Sequence, residues 1–119
     1  MTTAKIKYDK KSQNRSLEFR LEKNTPNPFD TETSIRFCIP RRCDVKLALT
    51  NNRDEVVCVL VNTPLAAGCY TIIWDAIDHD GQRIASGNYT YRLEANGFMA
   101  IRKLEIINLR KKTSAIGKD

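Results

Sequence analysis

The sequence predicts an all-β domain, an antiparallel β-sandwich of about seven strands. Three observations support this fold class. Apolar and polar residues alternate with a period of two in several short runs. Clusters of Gly, Pro, Asn and Asp separate these runs at regular intervals. No stretch shows the sustained helical periodicity that an amphipathic helix requires.

The predicted sandwich occupies residues 17–109 and follows a polar, basic N-terminal extension over residues 1–16. Its first strand is predicted where Leu17, Phe19 and Leu21 alternate with charged residues. A loop with two prolines comes next, and proline blocks both helix formation and pairing inside a sheet.

Three more strands are predicted before the middle of the chain. Residues 34–39 alternate until Pro40 ends the run, and residues 45–49 form the next strand. Residues 56–61 form a short apolar run that is typical of a buried strand. The turn-forming residues of 63–68 then reverse the chain.

The segment from Tyr70 to Leu93 contains two β-patterned runs separated by turns. The sequence of residues 78–81, Asp-His-Asp-Gly, indicates a turn, because Asp side chains bond nearby N–H groups and Gly adopts positive φ readily. Asn96-Gly97 predicts a tight hairpin into a last strand over residues 98–107.

Aromatic and aliphatic residues at inward-facing positions predict the core between the two sheets. These residues are Trp74, Tyr70, Tyr89, Tyr91, Phe37 and Leu47. About seven short strands with regular turns are typical of an immunoglobulin-like sandwich, and this architecture does not require the paired cysteines of antibody domains.

Length and composition indicate one domain that contains no membrane span. The chain has 119 residues, of which 41% are hydrophobic. No window approaches the roughly 18 apolar residues of a transmembrane helix. The N-terminus lacks the apolar stretch of a secretory signal peptide. The sequence therefore predicts a cytoplasmic location, including one peripheral to a membrane complex.

The four cysteines are predicted to be thiols, because disulfides are rare in a reducing compartment. Cys38, Cys43, Cys58 and Cys69 contain no Cys-x-x-Cys pair. A zinc site would need all four thiolates, which lie on several predicted strands. The preferred interpretation is that the cysteines act as small hydrophobic residues within the strands.

The formal net charge of +6 is concentrated at the two ends. A basic C-terminal tail over residues 110–119 accompanies the N-terminal extension, whereas the predicted sandwich is nearly neutral. Such tails attract an acidic protein, an anionic membrane or nucleic acid, and solubilising ends are the alternative. The predicted partner-binding residues are Lys5, Lys7, Lys10, Lys11, Arg15, Arg110, Lys111 and Lys112.

The sequence predicts no catalytic site, cofactor or metal. His79 is the only histidine and lies in a predicted turn. Asp75, Asp78 and Asp80 suggest calcium at first sight. However, Ala76 stands where an EF-type loop would need a ligand, and no bidentate Glu closes the segment. Turn formation is the preferred interpretation of these aspartates.

A series of motifs resembles one known family over roughly residues 17–108. The matching segments, in order, are Pro26-Asn27-Pro28-Phe29, Thr33-Ser34-Ile35-Arg36-Phe37, Ile39-Pro40, Leu65-Ala66-Ala67-Gly68, Trp74-Asp75, Asp80-Gly81 and Ala85 to Leu93. They resemble the immunoglobulin-like domain of flagellar hook-capping (FlgD) proteins and the related C-terminal sorting domain of the type IX secretion system. The resemblance implies the sandwich fold.

Three functions are compatible with these observations. The first is a non-catalytic intracellular binding or linker subunit, docking by the sandwich edges and the basic tails. The second, implied by the resemblance, is a type IX sorting domain cut from an exported protein. The third is a nucleic-acid-binding protein with basic arms, which is disfavoured because Tyr8 is the only aromatic residue in the two tails. The expected partner is an acidic protein or a membrane-associated complex. Because the family occurs in green sulfur bacteria, one of their photosynthetic assemblies is a candidate.

Overall fold

The computed structural model describes residues 5–9 and 17–107, and these residues form eight strands and no helix. None of the described residues therefore belongs to a helix that could span a membrane. The strands are β1 Lys5–Asp9, β2 Arg20–Leu21, β3 Thr33–Ile39, β4 Cys43–Thr50, β5 Val56–Leu65, β6 Gly68–Trp74, β7 Gly87–Ala95 and β8 Phe98–Ile106.

The strands form two four-stranded antiparallel sheets that pack as a sandwich, which confirms the predicted fold class. One sheet has the order β1-β6-β3-β2 and the other has the order β5-β4-β7-β8. Alternate side chains of each strand enter the core between them. Of the predicted core residues, Trp74, Tyr70, Tyr91, Phe37 and Leu47 are buried. The sixth, Tyr89, is partly buried against this core.

The N-terminal extension contributes a strand that the sequence did not predict. Lys5–Asp9 pairs antiparallel with β6, so paired residues begin ahead of residue 17. Tyr8 covers Gly68, where an added Cβ would lie 2.4 Å from the Tyr8 Cε1 atom. Only Ile6 and Tyr8 are apolar in this strand, a pattern too short and too polar to indicate pairing.

Two strands have lengths that differ from the prediction. Of the alternating segment that begins at Leu17, only Arg20–Leu21 is paired, with β3. Conversely, β5 continues through Pro64 to Leu65 and pairs with β4 along its length. Proline is tolerated there because β5 is the edge strand of its sheet.

The hairpin between β7 and β8 forms where the sequence predicted it. Asn96 and Gly97 have φ values of 50° and 86°, the positive values that a tight two-residue hairpin turn requires. The register runs from Ala95 opposite Phe98 to Gly87 opposite Ile106. This turn makes β8 the other edge strand of its sheet.

Candidate interaction edges and buried polar links

The side of the sandwich where β2 faces β8 is closed by direct contacts between the sheets. The Arg102 Nε donates a hydrogen bond to the Leu21 carbonyl oxygen at 3.0 Å. The rings of Phe19 and Phe98 stack with their centroids 4.9 Å apart.

A buried tyrosine of β7 is hydrogen-bonded to the segment that follows β2. The Tyr91 hydroxyl accepts a hydrogen bond from the Asn24 N–H and donates one to the Glu22 carbonyl, both at 2.8 Å. Burial raises the pKa of Tyr91 to about 12. Burial also raises the pKa values of Tyr70 and Tyr89, which lie at more open positions. Tyr91 is therefore a neutral structural link at physiological pH.

The raised pKa of Tyr91 predicts a loss of stability at alkaline pH. Its value is about 12 in the folded chain and about 10 in the unfolded chain, so its contribution is complete below pH 10 and declines as pH rises toward 12. A shift of this size corresponds to about 2–3 kcal/mol. Urea unfolding between neutral pH and pH 12 should show a smaller decline for Tyr91→Phe than for the unaltered protein. Equal declines would contradict this assignment.

The structure corrects the predicted state of two cysteines. Cys38 and Cys69 face each other across β3 and β6 and form a disulfide. Both are almost fully buried. Cys43 and Cys58 are not part of a disulfide. The prediction of four thiols was wrong because it followed from the assumed compartment, and the sequence did not show that these two strands are neighbours.

The aspartate-rich segment forms a closed turn. The Asp78 Oδ1 accepts hydrogen bonds from the N–H groups of Asp80 and Gln82, both at 2.9 Å. The His79 Nε2 accepts a hydrogen bond from the Val59 N–H at 3.2 Å, which fixes the turn against β5. The described residues contain no group of acidic, His or Cys side chains arranged to hold a metal ion. This segment is therefore a structural turn.

The structure describes only part of the predicted basic binding surface. Lys5 and Lys7 lie on the exposed edge strand β1. The other predicted partner-binding residues lie outside the described residues: Lys10, Lys11, Arg15, Arg110, Lys111 and Lys112. The prediction of a combined basic binding surface is therefore tested only at Lys5 and Lys7.

Sequence reasoning missed the exposed apolar residues of the sandwich edges. Met99 and Ile101 on β8 are 58% and 56% exposed, and Val56 on β5 is 50% exposed. The run Phe-Met-Ala-Ile at residues 98–101 was a usable signal, because four consecutive apolar residues place apolar side chains on both faces of a strand. Exposed apolar residues on edge strands are candidate sites for strand pairing.

Comparisons with known proteins place this sandwich in context. The model of the FlgD Ig-like domain family matches residues 8–97. No curated protein matches the chain.

Similar solved structures include dimeric latent PorU from Porphyromonas gingivalis. It has a TM-score of 0.61 and 17% identity, covering 77% of this chain and 10% of that chain. Another is PorZ, described as an essential surface component of the type IX secretion system of the same organism. Its TM-score is 0.48 and its identity 16%, covering 76% of this chain and 11% of that chain. This chain thus spans about a tenth of each, and the likeness to PorU shows the fold alone.

Proposed function

Because the chain belongs to the FlgD Ig-like domain family, we propose that it is a non-catalytic protein-binding domain that works in an oxidising compartment. The disulfide between Cys38 and Cys69 is the observation that supports this proposal. Disulfides persist in periplasmic, secreted and cell-surface proteins and are rare in the cytosol. The cytoplasmic location expected from the N-terminal sequence remains the competing prediction.

The position of the single histidine supports a non-catalytic role in this proposal. The chain has one histidine, His79. Its Nε2 atom accepts a hydrogen bond from the backbone of β5, so that nitrogen is engaged in holding a turn. A nucleophile activated by a histidine needs that base within hydrogen-bond distance. Binding through strand edges and loops is what a sandwich of this kind offers instead.

The partner in this proposal is another protein. The edge strand β1 presents Lys5 and Lys7, which favour an acidic surface. The intracellular linker, the membrane-associated assembly and the nucleic-acid-binding protein remain alternatives that differ in partner and compartment.

A second candidate is a sorting domain of an exported type IX secretion protein. The motifs from Pro26-Asn27-Pro28-Phe29 to Leu93 favour it, because they resemble that family of domains. Since β1 pairs with β6, a reporter fusion that tests this candidate must include Lys5–Asp9 and not begin at residue 17. Arrival of the reporter at the cell surface supports sorting, and retention inside the cell counts against it.

The redox state of the cysteines in living cells tests the proposed compartment. Cells are quenched in acid, and the protein is denatured and alkylated with and without prior reduction. Because Cys38 and Cys69 are bonded, we expect two alkylated cysteines without reductant and four with it. A Cys38→Ala/Cys69→Ala variant serves as the control and should give two in both cases. Four alkylated cysteines without reductant would support the cytoplasmic alternative and contradict the proposal.

A further inference from the structure

Half of the outer edge of β8 is covered by the chain itself. The Asn27 side chain accepts a hydrogen bond from the Glu105 N–H at 2.9 Å and donates one to the Lys103 carbonyl at 3.4 Å. The Phe29 N–H donates to the Glu105 carbonyl at 3.0 Å, and the Phe29 carbonyl accepts from the Ile107 N–H at 2.8 Å. The odd-numbered residues of β8 therefore direct their backbone groups away from β7.

The other half of that edge, Phe98–Arg102, has no strand hydrogen-bonded to its backbone within residues 5–9 and 17–107. The facing segment that contains β2 contacts this half through side chains, at Phe98 and Arg102. Backbone direction alternates along a strand, so Met99 and Ile101 also direct their N–H and C=O groups to the outer edge. Their side chains are the most exposed large hydrophobic ones among the described residues. Among the described residues, Met99 and Ile101 thus combine backbone groups that have no hydrogen-bond partner with apolar surface, and this combination leads strand edges to associate.

The other described edge strands are less suited to pairing with a second copy. β1 has Lys7 at its centre, and pairing β1 with itself about this residue would place the two Lys7 side chains opposite each other. β5 contains Pro64, which lacks an N–H, and its pairing with β4 shifts register twice. β2 is only two residues long. The uncovered half of β8 contains one charged residue, Arg102, and has neither a proline nor a register shift.

We propose that Phe98–Arg102 pairs antiparallel with the same stretch of a second copy, with the two-fold axis at Ala100. This register places Met99 of each copy opposite Ile101 of the other. Both residues face the outer edge, so each such pair forms two hydrogen bonds. The pairing goes beyond the proposed function because it requires no particular compartment and no other protein.

The length of the uncovered edge sets this register. Asn27 covers the edge from Lys103 onward, and the hairpin turn ends the strand before Phe98. The stretch between these limits has five residues, and Ala100 is its centre. An antiparallel two-fold pairing about Ala100 therefore uses all of the uncovered edge and none of the covered edge.

The side chains are compatible with this symmetric pairing. Met99 and Ile101 of the two copies form one apolar cluster on the outer face of a continuous eight-stranded sheet. The stretch has a single charged residue, Arg102, which lies opposite Phe98 of the other copy and not opposite another arginine. Five paired residues per copy make a small interface, typical of transient association below about 1,200 Å².

Sedimentation velocity of the full chain from about 1 µM to about 1 mM tests the pairing, because weak dimers dissociate in this range. We expect a reversible monomer–dimer equilibrium that Ile101→Lys weakens by about tenfold or more. Val56→Lys is the matched control, since Val56 is similarly exposed on the opposite edge strand, and it should leave the equilibrium unchanged. A monomer throughout this range, or equal effects of the two substitutions, would overturn the proposal.

Crosslinking tests the register independently. Ala100→Cys in a Cys43→Ser background should form an intermolecular disulfide on mild oxidation, because opposed residues of a non-hydrogen-bonded pair lie about 4.5 Å apart at Cα. Val56→Cys in the same background should remain largely monomeric. A folded Ala100→Cys protein that crosslinks no faster than the Val56→Cys protein would contradict the axis at Ala100.

Discussion

Replacing Trp74 by alanine should lower the free energy of unfolding by about 3–5 kcal/mol, the range for large aromatic residues in cores. Trp74 is fully buried, and its ring centroid lies 6.1 Å from that of Phe29. Its Nε1 also donates a hydrogen bond to the Ile77 carbonyl at 3.1 Å. The substitution removes apolar contacts between the sheets and leaves this carbonyl without its indole donor. Since the total free energy of unfolding of a small domain is about 5–15 kcal/mol, little stability would remain.

Urea unfolding followed by tryptophan-independent far-UV circular dichroism measures this loss. Met99→Ala is the control for removing a large apolar side chain, because Met99 is exposed, and we expect a change within about 0.5 kcal/mol. A Trp74→Phe variant retains much of the ring and should fall between the two. If Trp74→Ala were as stable as Met99→Ala, Trp74 would not be the centre of the core.

The alternation of residues was sufficient to predict the sandwich and its core. Alternate residues of a strand lie on the same face of its sheet. The apolar residues at these alternating positions, including Trp74, Tyr91 and Phe37, are therefore buried together between the sheets. The hairpin at Asn96-Gly97 was predictable for a different reason, since few residue pairs adopt positive φ at two successive positions at low cost.

Features that depend on which strands are neighbours were not predictable from this single sequence. β1 pairs with β6, where Tyr8 packs over Gly68, and nothing local to Lys5–Asp9 indicates that contact. The disulfide likewise needs β3 beside β6, two strands that are separated in the chain by β4 and β5. The local alternation of apolar and polar residues shows which side of a strand faces the core. The order of the strands in a sheet depends instead on contacts between residues that are far apart in the sequence.

The same distinction applies to the interaction edges. The apolar run at residues 98–101 was visible in the sequence. Which part of β8 is open to pairing could not be predicted, because Asn27 and Phe29 cover the neighbouring half of the strand. A run of this kind inside a sheet would be ordinary core, whereas at an uncovered edge it is a pairing surface. Burial and coverage together, and not hydrophobicity alone, distinguish the two.

Loss of the disulfide should be the second large effect on stability. Replacing both Cys38 and Cys69 by alanine should lower the free energy of unfolding by about 3–4 kcal/mol, because the bond closes a loop with a sequence separation of 31 residues. That loop contains β4 and β5, so the crosslink restricts a large part of the unfolded chain. Reduction of the unaltered protein should give a similar loss without any change of sequence.

The measurement compares urea midpoints of the oxidised protein, the reduced protein and the Cys38→Ala/Cys69→Ala variant. Cys43→Ala is the control, since Cys43 lies outside the disulfide and is only partly buried. It should unfold near the midpoint of the oxidised protein and should respond to reductant as the unaltered protein does. If reductant left the midpoint of the unaltered protein in place, the bond would contribute nothing to stability. The fold would then be equally stable in a reducing and in an oxidising compartment.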